Sequence, residues 1–191
     1  MTRSEELRRW WIEEIGPEGW YKGGEALDSR IREQWLDLWQ EAEGGGLGHW
    51  LVDAQGTLSY LILTDQLPRN MFRGTGQAFA TDARARAAAK MGLERDWDQR
   101  FDGLGRQFFY MPLEHSESLI DQDRAVALFE ARLSEPPDYL HHARAHRAVI
   151  RQFGRFPFRN EALGRETTPE EAAWIEAGGY GAEVERIKAK G

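Results

Sequence analysis

Apolar side chains recur along this chain at the three- and four-residue intervals of a helix, and Gly or Pro breaks fall between the runs. Leu7, Trp10, Trp11 and Ile15 share one face, which predicts a first helix over about Ser4 to Ile15. Ser4 is its expected N-cap and Gly16-Pro17 its stop. After Gly23-Gly24, the spacing of Leu27, Ile31, Trp35, Leu38 and Trp39 predicts a second helix that ends at Gly44-Gly45-Gly46. The tryptophans read as core anchors.

A short segment around Leu47 to Val52 leads to a helix from Leu58 to about Leu67, with Thr57 as the expected cap. Leu58, Tyr60, Leu61, Ile62 and Leu63 make it apolar nearly all round, which marks it as central. Asp65 falls on the face of Leu58, Leu61 and Ile62, so its carboxylate points inward and needs a cation. Arg69, Arg73 or an arginine further along could supply it. Pro68 is expected to end this helix.

Beyond the Gly74 and Gly76 turn, an alanine-rich helix is predicted from about Gln77 to Leu93, with Asp82 and Arg86 as an i,i+4 pair. A polar connection over 94–103 precedes a short helix from about Leu104 to Met111, stopped by Pro112. Ser116 or Ser118 can cap the next helix, which runs to about Leu133. Its apolar face (Leu119, Val126, Phe129, Leu133) also carries Gln122, whose amide must find partners in the interior.

Pro136-Pro137 open a helix to about Phe153, and Gly154 is placed as its left-handed C′ residue. Arg144, Arg147 and Arg151 stripe one side of it, read as a solvated face. His142 and His146 lie opposite, with Val149 and Phe153. Thr167 or Thr168 with Pro169 starts a last long helix that Gly178-Gly179 ends, and a short helix is expected in the tail. No segment alternates like a strand. The prediction is an all-α single domain over 1–191, with eight or nine helices joined by short turns.

Composition narrows the function classes. A length of 191 residues with 41% hydrophobic and 30% charged residues fits one globular core. A net charge of −7 argues against a general nucleic-acid or anionic-membrane binder. No run reaches the roughly 20 apolar residues of a membrane helix. The chain has no cysteine, which removes disulfides and thiolate chemistry and suits a reducing, cytoplasmic setting. Among the 25 basic residues only Lys22, Lys90, Lys188 and Lys190 are lysines. Arginine's planar fork suits fixed pairing with carboxylate or phosphate.

Those arginines crowd into two stretches with matching turns. One is Asp65-Gln66-Leu67-Pro68-Arg69-Asn70, continuing to Arg73-Gly74-Thr75. The other is Phe153-Gly154-Arg155-Phe156-Pro157-Phe158-Arg159-Asn160, with Leu163-Gly164-Arg165. Each Pro-x-Arg-Asn-like turn follows an apolar helix, a faint internal repeat compatible with stacked helical hairpins. Between them stands Phe109-Tyr110-Met111-Pro112-Leu113-Glu114-His115-Ser116-Glu117.

These three ordered motifs, spread over nearly the whole chain, closely resemble the bacterial family catalogued as domain of unknown function 924. The resemblance implies a tetratricopeptide-like all-α fold and no particular activity. The family's turn usually reads Phe-Pro-His-Arg-Asn, and Phe158 stands here in the histidine's place.

Three kinds of function are open to these residues. A small anionic ligand, carboxylate or phosphate, could be clamped by Arg69, Arg73, Arg155, Arg159 and Arg165. Gln66, Asn70, Asn160, Ser116, Gln122 and His146 would complete such a site. Alternatively, His115, Glu117 and Asp65 could supply acid–base catalysis of the hydrolase kind. A peptide- or protein-binding helical surface is the third. Against all three stands a purely structural arginine–carboxylate network that locks helices together. His142 and His146 have metal-pair spacing, but the extended H-E-x-x-H pattern is absent and no metal or cofactor is expected. The oligomeric state is not legible. The spatial expectation is that both arginine turns converge on the imidazole and carboxylate around position 115.

Overall fold

The computed structural model describes residues 1–190, with Tyr21 described by its backbone alone. All regular structure among the described residues is helical. The chain forms two compact units, Met1–Pro112 and the part from Leu113 onward. No described helix is long and apolar enough to cross a membrane.

In the first unit α1 (Arg3–Arg9) starts two residues earlier than expected, because Thr2 and not Ser4 caps it. The Thr2 hydroxyl accepts from Glu5 N, and the Glu5 carboxylate accepts from Thr2 N at 2.8 Å, a reciprocal capping box. The chain then passes through a π-helical turn, Trp10–Ile15, into α2 (Gly16–Lys22). Pro17 does not stop the chain, because a proline in the first helical turn forfeits an N–H that has no acceptor there. Helix α3 (Glu25–Glu43) buries Ile31, Trp35, Leu38 and Trp39, the residues its spacing picks out.

The central apolar run is split. Helix α4 (Ala54–Leu61) is capped by Asp53, whose carboxylate accepts from Gly56 N at 2.8 Å, and Thr57 is buried inside it. A second π-helical turn, Ile62–Gln66, hands over to α5 (Leu67–Met71). Pro68 therefore opens α5 instead of ending a helix. The wider π turn sets its ring where no hydrogen bond is lost. Helix α6 (Asp82–Glu94) follows a separate 3₁₀ turn over Gly76–Phe79, and α7 (Gly103–Arg106) is a single turn. What periodicity draws as continuous helices is thus cut at π and 3₁₀ turns, whose side chains keep nearly the same apolar faces.

Helix α8 (Met111–Glu114) carries Pro112 at its second position and delivers Leu113 and Glu114 to the second unit. There α9 (Leu119–Arg132), α10 (Pro137–Phe153), α11 (Pro169–Glu176) and α12 (Gly179–Lys188) complete the chain, with α10 packed on α9 and on α12. Gly154 closes α10 at φ 70°, a left-handed conformation in which a side chain would be strained. Val149, Ile150 and Phe156 form a core cluster, and Phe153, Trp174 and Tyr180 pack against it.

Candidate functional site

The first arginine turn is satisfied within the first unit. Asp65 is 1% exposed, and the cation it requires is Arg69, 3.5 Å away in the side-chain pair. The Arg69 guanidinium also makes a two-pronged contact with Asp82, 3.0 Å to each oxygen, and donates to the Asp65 carbonyl. Gln66 donates its amide to Asp65. Asp28, 3% exposed on α3, accepts from the Asn70 amide at 2.9 Å and from the Arg73 fork at 3.0 and 3.1 Å. Burial works to raise the Asp28 pKa, but the hydrogen bonds of Arg73 and Asn70 outweigh it and hold the carboxyl below its ordinary range.

Two arginines of the second turn, Arg155 and Arg165, are paired in the same manner within the second unit. Arg165 forks onto Glu117, with contacts from 2.8 to 3.1 Å, and donates to the Phe156 carbonyl at 2.9 Å. Glu117 also accepts from Phe156 N at 2.9 Å. Burial pushes the Glu117 pKa up, yet Arg165 and the Phe156 amide bring it below the ordinary value. Arg155 pairs with Glu171 at 2.6 and 2.7 Å. Glu171 further accepts from Asn160 and from Thr168 N, in the capping box of α11. Its carboxyl is drawn down to about 2, chiefly by the Arg155 hydrogen bond. Arg159, 6% exposed, lies with its guanidinium carbon 4.4 Å from the centre of the Phe156 ring.

These contacts tie the buried carboxylates Asp28, Asp65 and Glu171 into salt bridges with motif arginines. The nominated carboxylates Glu117 and Asp65 both lie in arginine networks. Ser116 and Gln122 shape the turn between α8 and α9. Ser116 donates to Asp121 at 2.9 Å and accepts from Ser118 N. Gln122 is fully buried and donates to the carbonyls of Glu114 and Ser116. The interior partners its position demanded are therefore main-chain ones. They fix the orientation of Glu114 and His115.

A different group of side chains gathers beside that turn. Glu114, 4% exposed, places a carboxylate oxygen 2.7 Å from Nδ1 of His146 on α10. The Tyr180 hydroxyl, on α12, lies 3.0 Å from the same Nδ1 and 2.7 Å from Nδ1 of His142. His115 packs edge-on to His146 with ring centres 5.8 Å apart, and Phe156 meets the His146 ring at 5.4 Å. Phe158, 46% exposed, contacts Phe156 and Tyr180 at 5.2 and 5.9 Å between ring centres.

The proton positions follow from these distances. The His142 carbonyl lies 3.0 Å from the same Nδ1, and one N–H cannot serve three acceptors well; the closest and only anionic one is Glu114, so His146 donates to Glu114. Tyr180 then donates its hydroxyl proton to Nδ1 of His142 and sits beside His146 through its oxygen. Burial lowers the His142 pKa against the raising influence of Glu114, which keeps its imidazole neutral and able to accept. Burial also works to raise the Glu114 pKa, but the charge and hydrogen bond of His146, with His115 and His142, bring it below the ordinary value. With Nδ1 committed to Glu114, Nε2 is the ring nitrogen of His146 left for proton exchange.

Glu114, His142 and Tyr180 escape the sequence reading for different reasons. Glu114 is one of two acids flanking His115, and only the turn geometry decides which of them faces α10. His142 is recognisable only as His146's helical neighbour. Tyr180 follows a Gly-Gly break and carries no local signal at all. Among the described residues, no group of three or more His, Cys, Asp or Glu side chains is arranged to hold a metal ion.

Residues 7–179 match the family model described as "Bacterial protein of unknown function (DUF924)". The chain is also similar to a solved structure, the protein of unknown function ATU0120 from Agrobacterium tumefaciens. The identity is 38%, over 91% of this chain and 97% of that one, with a TM-score of 0.86. No curated protein matches. With most of its length inside the family model and a relative of this identity, the chain belongs to the bacterial DUF924 family.

Proposed function

We propose that the second unit carries a general acid–base site in which Glu114 orients His146 and Nε2 of His146 exchanges the proton. A buried carboxylate on one imidazole nitrogen fixes the tautomer and stabilises the imidazolium that forms when the other nitrogen takes a proton. The observation that carries this reading is the 2.7 Å Glu114–His146 contact, which commits Nδ1 and leaves Nε2 as the ring nitrogen available for exchange. Tyr180 and the neutral His142 flank the Nδ1 side of the ring and leave proton exchange to Nε2.

The motif arginines have the other role in this reading. Their carboxylates hold the turns in place, and Glu117 in particular ties the segment after Glu114 to Phe156. The substrate is a small molecule with a hydrolysable bond, approached by His146 next to the exposed Phe158. The tetratricopeptide-like pairing of helical hairpins belongs to the same proposal. The packing of the consecutive helices α9 and α10 on each other supports it.

Profiling purified protein against ester, phosphoester and amide substrates tests the reading. For any activity found, His146→Ala should lower kcat by about 10²–10⁴, the range of a lost general base. Glu114→Gln should lower it less, since an amide oxygen still accepts from Nδ1. Full activity in folded His146→Ala protein would remove His146 from the chemistry.

A further inference from the structure

On the second unit, Arg144, Arg147 and Arg151 of α10 line a cavity of about 450 Å³ together with Ala148, Arg186 and Ile187. The three α10 arginines fall at i, i+3 and i+7, so they span roughly 10 Å along one helix face. The groups already paired with them are few. Arg147 and Arg151 each give one N–H to the same Asp123 oxygen, at 3.3 and 2.9 Å. Arg144 gives one to Glu130 at 2.8 Å, and Arg186 gives two to Glu183. A guanidinium has five N–H donors, so most of the capacity around this cavity is unused by the protein.

The charge balance points the same way. Four guanidiniums face three carboxylates, one of which is shared, on a molecule whose net charge is −7. A local positive excess on an acidic protein is the arrangement that draws one small polyanion while repelling nucleic acid and anionic membranes. The volume suits a small molecule and is too small for a folded partner. Ala148 and Ile187 add apolar surface, and the Gln152 amide adds a neutral hydrogen-bonding group.

We infer that this groove is a binding site for a small molecule bearing two or more phosphoryl groups, held by the forks of Arg144, Arg147, Arg151 and Arg186. Phosphate fits over carboxylate because each phosphoryl group offers three acceptor oxygens, and the row of forks can engage two such groups in succession. The inference is independent of the His146 site, which involves other side chains.

The test is calorimetric titration of the full chain with inorganic tripolyphosphate at about physiological salt, where loose ion pairing is screened. Wild-type protein should bind one equivalent saturably. Arg147→Gln/Arg151→Gln should weaken binding at least tenfold, and the surface change Arg124→Gln, at a residue that does not line the cavity, should leave it alone. Asp123→Asn, which frees two guanidiniums, should tighten binding, an effect that misfolding cannot imitate. Absence of saturable binding overturns the inference. So does unchanged affinity in the double variant, or weaker binding in Asp123→Asn.

Discussion

Glu114 and His146 meet at 2.7 Å, one from the end of a four-residue helix and the other from the middle of α10. The side chains of both are largely shielded, 6% and 12% exposed, so neither partner can exchange the other for water without cost. This pair ties the positioning of the turn at 114–118 to the face of α10 that holds His142 and His146.

Removing the imidazole should reverse the sign of a pH effect. In the intact protein Glu114 titrates below its ordinary value, so its contribution to stability is present above that value and fades as pH falls. In His146→Ala the burial influence is no longer outweighed and the folded-state pKa rises above the unfolded one. Its contribution is then complete only in acid and is lost as pH rises. Urea unfolding at pH 4 and pH 7 should show a variant relatively more stable at pH 4, with about 3 kcal/mol lost near neutrality, as when a buried charge is left unpaired. An equal deficit at both pH values would contradict the account.

Glu171 makes a second pH prediction with the ordinary sign. Its carboxyl lies at about 2 against an unperturbed 4.5, so its stabilising effect is complete above about 4.5 and drains away as pH falls toward 2. The stability gap between wild type and Glu171→Gln should be widest at neutral pH and close in that window. Denaturant titrations at pH 7, 4 and 2.5 follow it directly.

Arg69 distinguishes a scaffold from a ligand clamp. Its loss takes the paired cation away from Asp65, 1% exposed, and from Asp82. Arg69→Ala should destabilise by about 3–5 kcal/mol. Arg73→Ala should cost only about 1 kcal/mol, because that side chain is 59% exposed and Asp28 keeps Asn70. Thermal or chemical denaturation giving the reverse order would show that the paired geometry does not set the energetics.

Phe158 should tolerate exchange. With 46% exposure, Phe158→His should shift stability by no more than about 0.5 kcal/mol. It would place an imidazole next to Tyr180. If hydrolytic activity is found, this variant should alter its pH profile near neutrality while the fold, read by circular dichroism, stays unchanged.

Much of this architecture is legible in the sequence, for reasons that particular residues make clear. Helical spacing places Ile31, Trp35 and Trp39 in the core because burial depends on the face of a helix. Small shifts in winding barely rotate that face. The same reasoning places Asp65 inward, and Arg69 is the cation it required. Helix breaks are read less well: Pro68 and Pro112 look like stops, yet each sits in a first turn where its missing N–H is harmless. The capping residues Thr2 and Asp53 are displaced from Ser4 and Thr57 because the cap is set by where the backbone enters the helix. The arginine turns announce themselves, but a sequence does not reveal that nearby carboxylates already occupy most of them. Tyr180 was out of reach altogether, since its relation to His142 and His146 is made only by the packing of α12 on α10.

The most direct measurement of the Glu114–His146 arrangement is nitrogen NMR of the labelled histidine side chains in folded protein above pH 7. The account predicts that His146 is the tautomer protonated at Nδ1, with Nε2 resonating as an unprotonated, accepting nitrogen. His142 should show the opposite tautomer. A His146 ring protonated at Nε2 and bare at Nδ1 would contradict the carboxylate-oriented base on which the proposed chemistry rests.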